Sequence, residues 1–179
     1  MHAFTLTVDL TLPCPIDRVF PFFADAGNLE AITPPFLRFK ILTPRPIPMH
    51  QGALIDYHLR LHGVPIRWRT VIDAWDPPHR FIDRQLKGPY TLWHHTHTFE
   101  PLPPATPGGP ERTLVRDVVR YRPILAPLSQ SWFVRPRVDA IFRFRQAAIA
   151  RLILGDDAAN RLPPPPAPVH GVQPNWPGP

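Results

Sequence analysis

Residues 80–100, RFIDRQLKGPYTLWHHTHTFE, read as two strands folded back about Lys87-Gly88-Pro89-Tyr90. In the second strand Trp93, His95, His97 and Phe99 share one face, and Leu92, His94, Thr96 and Thr98 share the other, because successive side chains of a strand point to opposite sides. A face bearing Trp and Phe is normally the buried one. Two histidines are therefore expected inside, among large apolar groups, where each ring nitrogen needs a partner or a wet cavity.

A three-residue loop, Gly88-Pro89-Tyr90, sets Lys87 against Thr91, Gln85 against Trp93, Asp83 against His95 and Phe81 against His97. A two-residue turn would shift that register and exchange the partners. On the strand expected over residues 111–122, Thr113, Val115, Asp117, Val119 and Tyr121 share a face. Aligning Phe99 with Thr113 would place Asp117 beside His95, so that Asp83, His95 and Asp117 form a row across three neighbouring strands.

The same period of two runs through much of the chain. Phe4, Leu6, Val8, Leu10 and Leu12 alternate with Thr5, Thr7, Asp9 and Thr11 in a first strand. Leu37, Phe39 and Ile41 mark a second. Ile55, Tyr57, Leu59 and Leu61 alternate with polar residues in a third, and Ile66, Trp68, Thr70, Ile72 and Ala74 do so in a fourth. Tight connections between successive strands make these hairpins, hence an antiparallel sheet. Between the first and second strands the period is helical. Val19, Phe20 and Phe23 lie on one side of a short helix over 16–24, with Pro15 and Asp17 suited to its opening turn. Residues 29–32 add one further turn.

A long helix is expected from Phe133 to Leu154, with Pro136 tolerated in its first turn. At about 100° per residue, Val134, Val138, Ile141, Ala148, Ile149 and Leu152 fall on one side and Asp139, Arg143, Gln146 and Ala150 on the other. Arg145 projects among the apolar group. A guanidinium cannot shed its charge, so burial there requires a carboxylate, other acceptors or water. Residues 1–157 form one domain. Residues 158–179 read as a proline-rich disordered or extended tail.

Composition excludes several classes. The 179 residues hold one cysteine, Cys14, so an internal disulfide and a Cys-based zinc cluster are ruled out. The net charge of +6 is spread along the chain in ones and twos, without the basic stripe that nucleic-acid binding wants. No apolar run approaches the roughly 20 residues of a membrane span. The first residues lack a basic segment followed by an apolar one, so no secretory signal is read and the cytoplasm is expected. There is no Ser/His/Asp signature, no glycine-rich phosphate loop and no cofactor motif. Two histidines two residues apart on a strand are a weak metal signal, and no metal site is assigned from them. The oligomeric state is not legible.

One strand, two short helices, six antiparallel strands and a long terminal helix is the order of the helix-grip fold, an α+β architecture in which a curved seven-stranded sheet wraps the last helix. The stretches LPCPIDRVFPFFADAGNLEAITP (12–34), QLKGPYTLWHHTHTFEPL (85–102) and VRDVVRYRP (115–123) resemble the SRPBCC, or START-like, superfamily. They are closest to small bacterial members near the polyketide cyclase/dehydrase and coenzyme Q-binding groups. The resemblance spans residues 3–155.

It implies a cavity between sheet and helix that takes an apolar or aromatic small molecule, such as a lipid, isoprenoid, quinone or polyketide-like compound, in a non-catalytic carrier or sensor. The residues expected to line it are Tyr57, Trp68, Asp83, Gln85, Trp93, His95, His97, Asp117, Tyr121 and Arg145. The alternative is an aromatase, cyclase or dehydratase with His95, oriented by Asp83 or Asp117, as general acid or base. A third reading has the polar residues as a hydrogen-bonded floor in a cavity filled by the protein's own side chains.

Overall fold

The structure is a computed structural model and describes residues 3–61, 63–124 and 134–173. One antiparallel sheet of eight strands has the order β2-β3-β4-β5-β6-β7-β1-β8. The strands are β1 (Ala3–Leu12), β2 (Lys40–Ile41), β3 (Leu54–Leu61), β4 (Val64–Asp76), β5 (Arg80–Lys87), β6 (Tyr90–Leu102), β7 (Arg112–Pro123) and β8 (Val169–Gln173). The main helices are α1 (Ile16–Ala24) and α2 (Arg135–Leu154); a four-residue α3 (Asp156–Ala159) follows. This is the α+β helix-grip arrangement. No helix among the described residues is long and apolar enough to cross a membrane.

The inward residues of β1, β6 and β7 build the core against the helices. Leu10, Leu12, Phe99 and Val115 pack with Val19, Phe20 and Phe23 of α1 and with Ile149 and Ile153 of α2. Leu6, Val8, Val119 and Tyr121 pack with Val138 and Phe142. Each such side chain contributes about 1.5–3 kcal/mol by leaving water. Polar ties fix the helices: Arg18 donates to the Ile153 carbonyl at 2.7 Å, and Gln146 donates to the Asp9 carbonyl at 2.9 Å. Register shifts in β4 between Arg69 and Thr70 and between Ile72 and Ala74 bend the sheet. The hairpin joining β5 to β6 is capped by Gln85, whose side chain donates to the Tyr90 carbonyl at 2.6 Å and accepts from the Tyr90 amide at 3.3 Å. Gly88 leaves room for that side-chain amide, which a Cβ would displace.

Four expectations are corrected. The sheet has eight strands rather than seven, because residues 169–173 pair with Ala3–Thr7 along the edge of β1. The tail was read from its prolines, but VHGVQ contains none, and the open edge of β1 offers it unpaired backbone groups. Residues 174–179 lie outside the described residues. The second strand is only Lys40–Ile41; Pro35–Leu37 instead forms a 3₁₀ turn that ends at Arg38 with a positive φ of 44°.

On α2 the buried residues are Val138, Phe142, Gln146, Ile149, Ala150 and Ile153, while Leu152 is exposed. The helix is rotated from the expected stripe: Gln146 turns inward and its Nε2 donates to the Asp9 carbonyl, while its Oε1 is left without a hydrogen bond. The expected start at Phe133 lies outside the described residues. Finally, β6 and β7 pair His97 with Asp117, His95 with Val119 and Pro101 with Thr113, two residues from the expected register. A two-residue slip keeps every side chain on its face and changes only its partner.

Candidate functional site

The pairings Phe81 with His97 and Asp83 with His95 occur as the sequence led one to expect. They bring two histidines between two carboxylates, one from each flanking strand. His97 Nε2 lies 3.0 Å from Asp83 Oδ2, and His95 Nδ1 lies 3.4 Å from the same oxygen. On the other side, His97 Nδ1 lies 2.6 Å and His95 Nε2 3.2 Å from Asp117 Oδ1. The contact of His97 with Asp83 is a hydrogen bond, whereas both contacts with Asp117 are too oblique for one. The two rings are tilted by 40° with centroids 3.8 Å apart, and Phe81 stacks on His97 at 4.1 Å.

Arg145 descends from α2 with a side chain only 14% exposed, its Nε 4.0 Å from Asp117 Oδ2. That Nε makes no hydrogen bond. The expectation that Arg145 turns inward toward an acid is met in position. It stands at ion-pair distance from Asp117, beyond hydrogen-bond reach.

The electrostatics follow from this crowding. Burial alone would raise both carboxyls, but His95, His97 and Arg145 outweigh it at Asp83 and hold that group below the usual carboxylate range. His97 and His95 hold Asp117 well below that range, again against burial. Burial and the neighbouring His97 push His95 down. Burial acts on His97 in the same direction, but Asp117 and Asp83 overcome it and raise that ring. Of the two rings, His97 therefore keeps its proton more firmly, and with Arg145 it matches the two carboxylates.

These groups form one end of a cavity of about 170 Å³ between the sheet and α2. Its walls include Phe39, Tyr57, Trp68 and Trp93 from the sheet side and Ile141 and Phe142 from the helix. Tyr57 stacks on Trp68 at 5.8 Å, and Trp93 meets Trp68 edge-on at 5.4 Å. The polar atoms of Trp68 and Tyr57 are satisfied within the wall. The Trp68 indole N–H donates to the Thr70 hydroxyl at 3.1 Å, and the Tyr57 hydroxyl hydrogen-bonds the same oxygen at 3.1 Å. Burial correspondingly raises the Tyr57 phenol. The aromatic walls thus offer a guest ring faces, and the charged polar groups gather where Asp83, His95, His97 and Arg145 meet.

Of the residues expected at the cavity, Tyr57, Trp68, Asp83, Trp93, His95, His97 and Arg145 line it. Gln85 does not, being held by the hairpin turn. Asp117 stands behind the histidines rather than at the cavity surface, and Tyr121, fully buried, packs between Phe4 and Trp93. Thr70 and Phe142 were missed. Thr70 lies on the inward face of β4 beside Trp68, so alternation alone marked it, but only the structure makes it the hydrogen-bond partner of both aromatics. Phe142 was hidden by the rotation of α2.

No family model matches the chain, and no curated protein does. Solved structures with the same fold include Ara h 8.0201, at 18% identity and a TM-score of 0.59, over 85% of this chain and 98% of that one. A START superfamily protein from Mycobacterium smegmatis matches at 12% identity and a TM-score of 0.62, over 84% of this chain and 97% of that one. The Zhui aromatase/cyclase from Streptomyces sp. R1128 matches at 20% identity and a TM-score of 0.59, over 88% of this chain and 93% of that one. The fold is of the SRPBCC type.

Proposed function

We propose that this chain, on its SRPBCC-type scaffold, binds a small apolar molecule of one or two rings bearing an acidic or carbonyl oxygen, and acts as its carrier or sensor. The observation that carries the reading is the pairing of aromatic walls, where Tyr57 and Trp68 satisfy their polar atoms on Thr70, with a charged end where Arg145 Nε is buried without a hydrogen bond. Such a site takes its affinity from apolar contact and its orientation from a few convergent polar groups. Size narrows the guest. A cavity of about 150 Å³ lined by aliphatic and aromatic groups holds benzene, and the 170 Å³ here suits a ring system better than an extended acyl chain. Among the compounds implied by the fold, a quinone or aromatic polyketide head fits best.

Isothermal titration with 2-naphthoic acid and 2-naphthol tests this. Wild-type protein should bind both. Arg145→Met should weaken the acid by roughly tenfold or more, the scale of one charge-assisted contact, and the alcohol much less. Failure of the wild type to bind either compound, or an equal fold-loss for both compounds in the variant, would overturn the reading.

A further inference from the structure

We propose that Asp83, His95 and His97 bind a divalent transition-metal ion whose remaining coordination positions open into the cavity. One nitrogen from each histidine and one oxygen from the acid lie within 4.8 Å of one another. Asp83 Oδ2 is 3.0 Å from His97 Nε2 and 3.4 Å from His95 Nδ1. Around an ion with bonds of about 2.0–2.1 Å to nitrogen and oxygen, tetrahedral ligands sit roughly 3.3 Å apart, so both acid–nitrogen separations already suit a shared ion. Two imidazoles and a carboxylate are a donor set for zinc or ferrous iron, and leave positions free for an exogenous oxygen.

The strongest support comes from behind the site. The ring nitrogens facing away from Asp83, namely His95 Nε2 and His97 Nδ1, both approach one oxygen of Asp117, at 3.2 and 2.6 Å. Neither contact is aligned as a hydrogen bond, but a carboxylate so close favours protons on those nitrogens by charge and so leaves the opposite lone pairs for Asp83, the place of acids behind metal-binding histidines. Asp83, His95 and His97 all line the cavity and Asp117 does not, so the ligands face the guest and the orienting acid is sheltered. Charge agrees. A dication and Arg145 against two buried carboxylates leave one positive charge, which an acidic oxygen of the guest would match.

What fills the open positions rests on the ligand-binding reading above, but the metal site does not. Full-length protein freed of metal with a chelator is therefore titrated with Co²⁺ in the absence of any organic compound. The expected result is a saturable set of visible d–d bands that Zn²⁺ displaces, and a rise in melting temperature that Zn²⁺ also produces. Asp83→Asn and His97→Ala should lose the bands, and Asp117→Asn should weaken affinity roughly 10–100-fold, with near-UV circular dichroism confirming that each variant is folded. If the variants do not fold, the wild-type Co²⁺ complex decides: two hyperfine-shifted imidazole N–H resonances, one from each ring, are required. Absence of bands and of thermal shift, or bands unaltered in folded Asp83→Asn, would overturn the proposal and leave the cluster a hydrogen-bonded floor. Naphthoate binding without Co²⁺ binding refutes only the metal, and Co²⁺ binding without naphthoate binding refutes only the ring-sized guest.

Discussion

Asp117 is a carboxylate that burial would neutralise if His95, His97 and Arg145 were not arranged around it. Its removal leaves His97 and Arg145 facing Asp83 alone, and an uncompensated buried charge is among the costliest defects a core can hold. Asp117→Asn, which keeps the volume, is expected to lower stability by about 3 kcal/mol, measured by urea unfolding. Asp117→Asn combined with Arg145→Met should cost less than the two single changes added together. A loss below about 1 kcal/mol for Asp117→Asn would mean that the cluster is solvated rather than buried.

At this scale the sequence was readable where hairpin geometry constrains it. The short turn at Gly88-Pro89 pinned Asp83 to His95 and Phe81 to His97. Asp117 was placed on the right face but two residues out of register, because β6 and β7 are joined by residues 103–111, and a long loop does not set register as a tight turn does.

Among the elements, β8 most changes the account. It closes the edge of β1 from Ala3 to Thr7, and His170 ties it to α2 through Asp139 Oδ1 at 2.6 Å. The proline content alone argued that removing the tail would leave stability untouched. The pairing argues otherwise: truncation after Ala167 should cost on the order of 1–2 kcal/mol, or roughly 2–8 °C in melting temperature for a domain of this size. A truncated protein that melts with the full chain would show that β8 is not held in solution. Period-two patterns found the long strands because one face is buried, and they failed at Pro35–Leu37, where prolines turn the chain before two-residue β2 can begin. On α2 the apolar stripe misled because Gln146, polar by composition, is buried once its amide reaches the Asp9 carbonyl.

For the whole molecule, the curved sheet around α2 was legible because alternating runs, tight turns and one long terminal helix all point to the same architecture. The cavity was only implied by that architecture. Its 170 Å³ and its aromatic walls depend on how Tyr57, Trp68 and Trp93 pack against Ile141 and Phe142, which pairwise patterns do not encode. The central claim is that a ring occupies this space with its oxygen toward Arg145 and the histidines. It is tested most directly by crystals of the full chain grown with 6-bromo-2-naphthoic acid, in which the bromine is located by anomalous scattering. The account predicts a bromine peak among Tyr57, Trp68 and Trp93 with the carboxylate toward Arg145. A bromine peak confined to the protein surface, with the cavity closed by its own side chains, would contradict it.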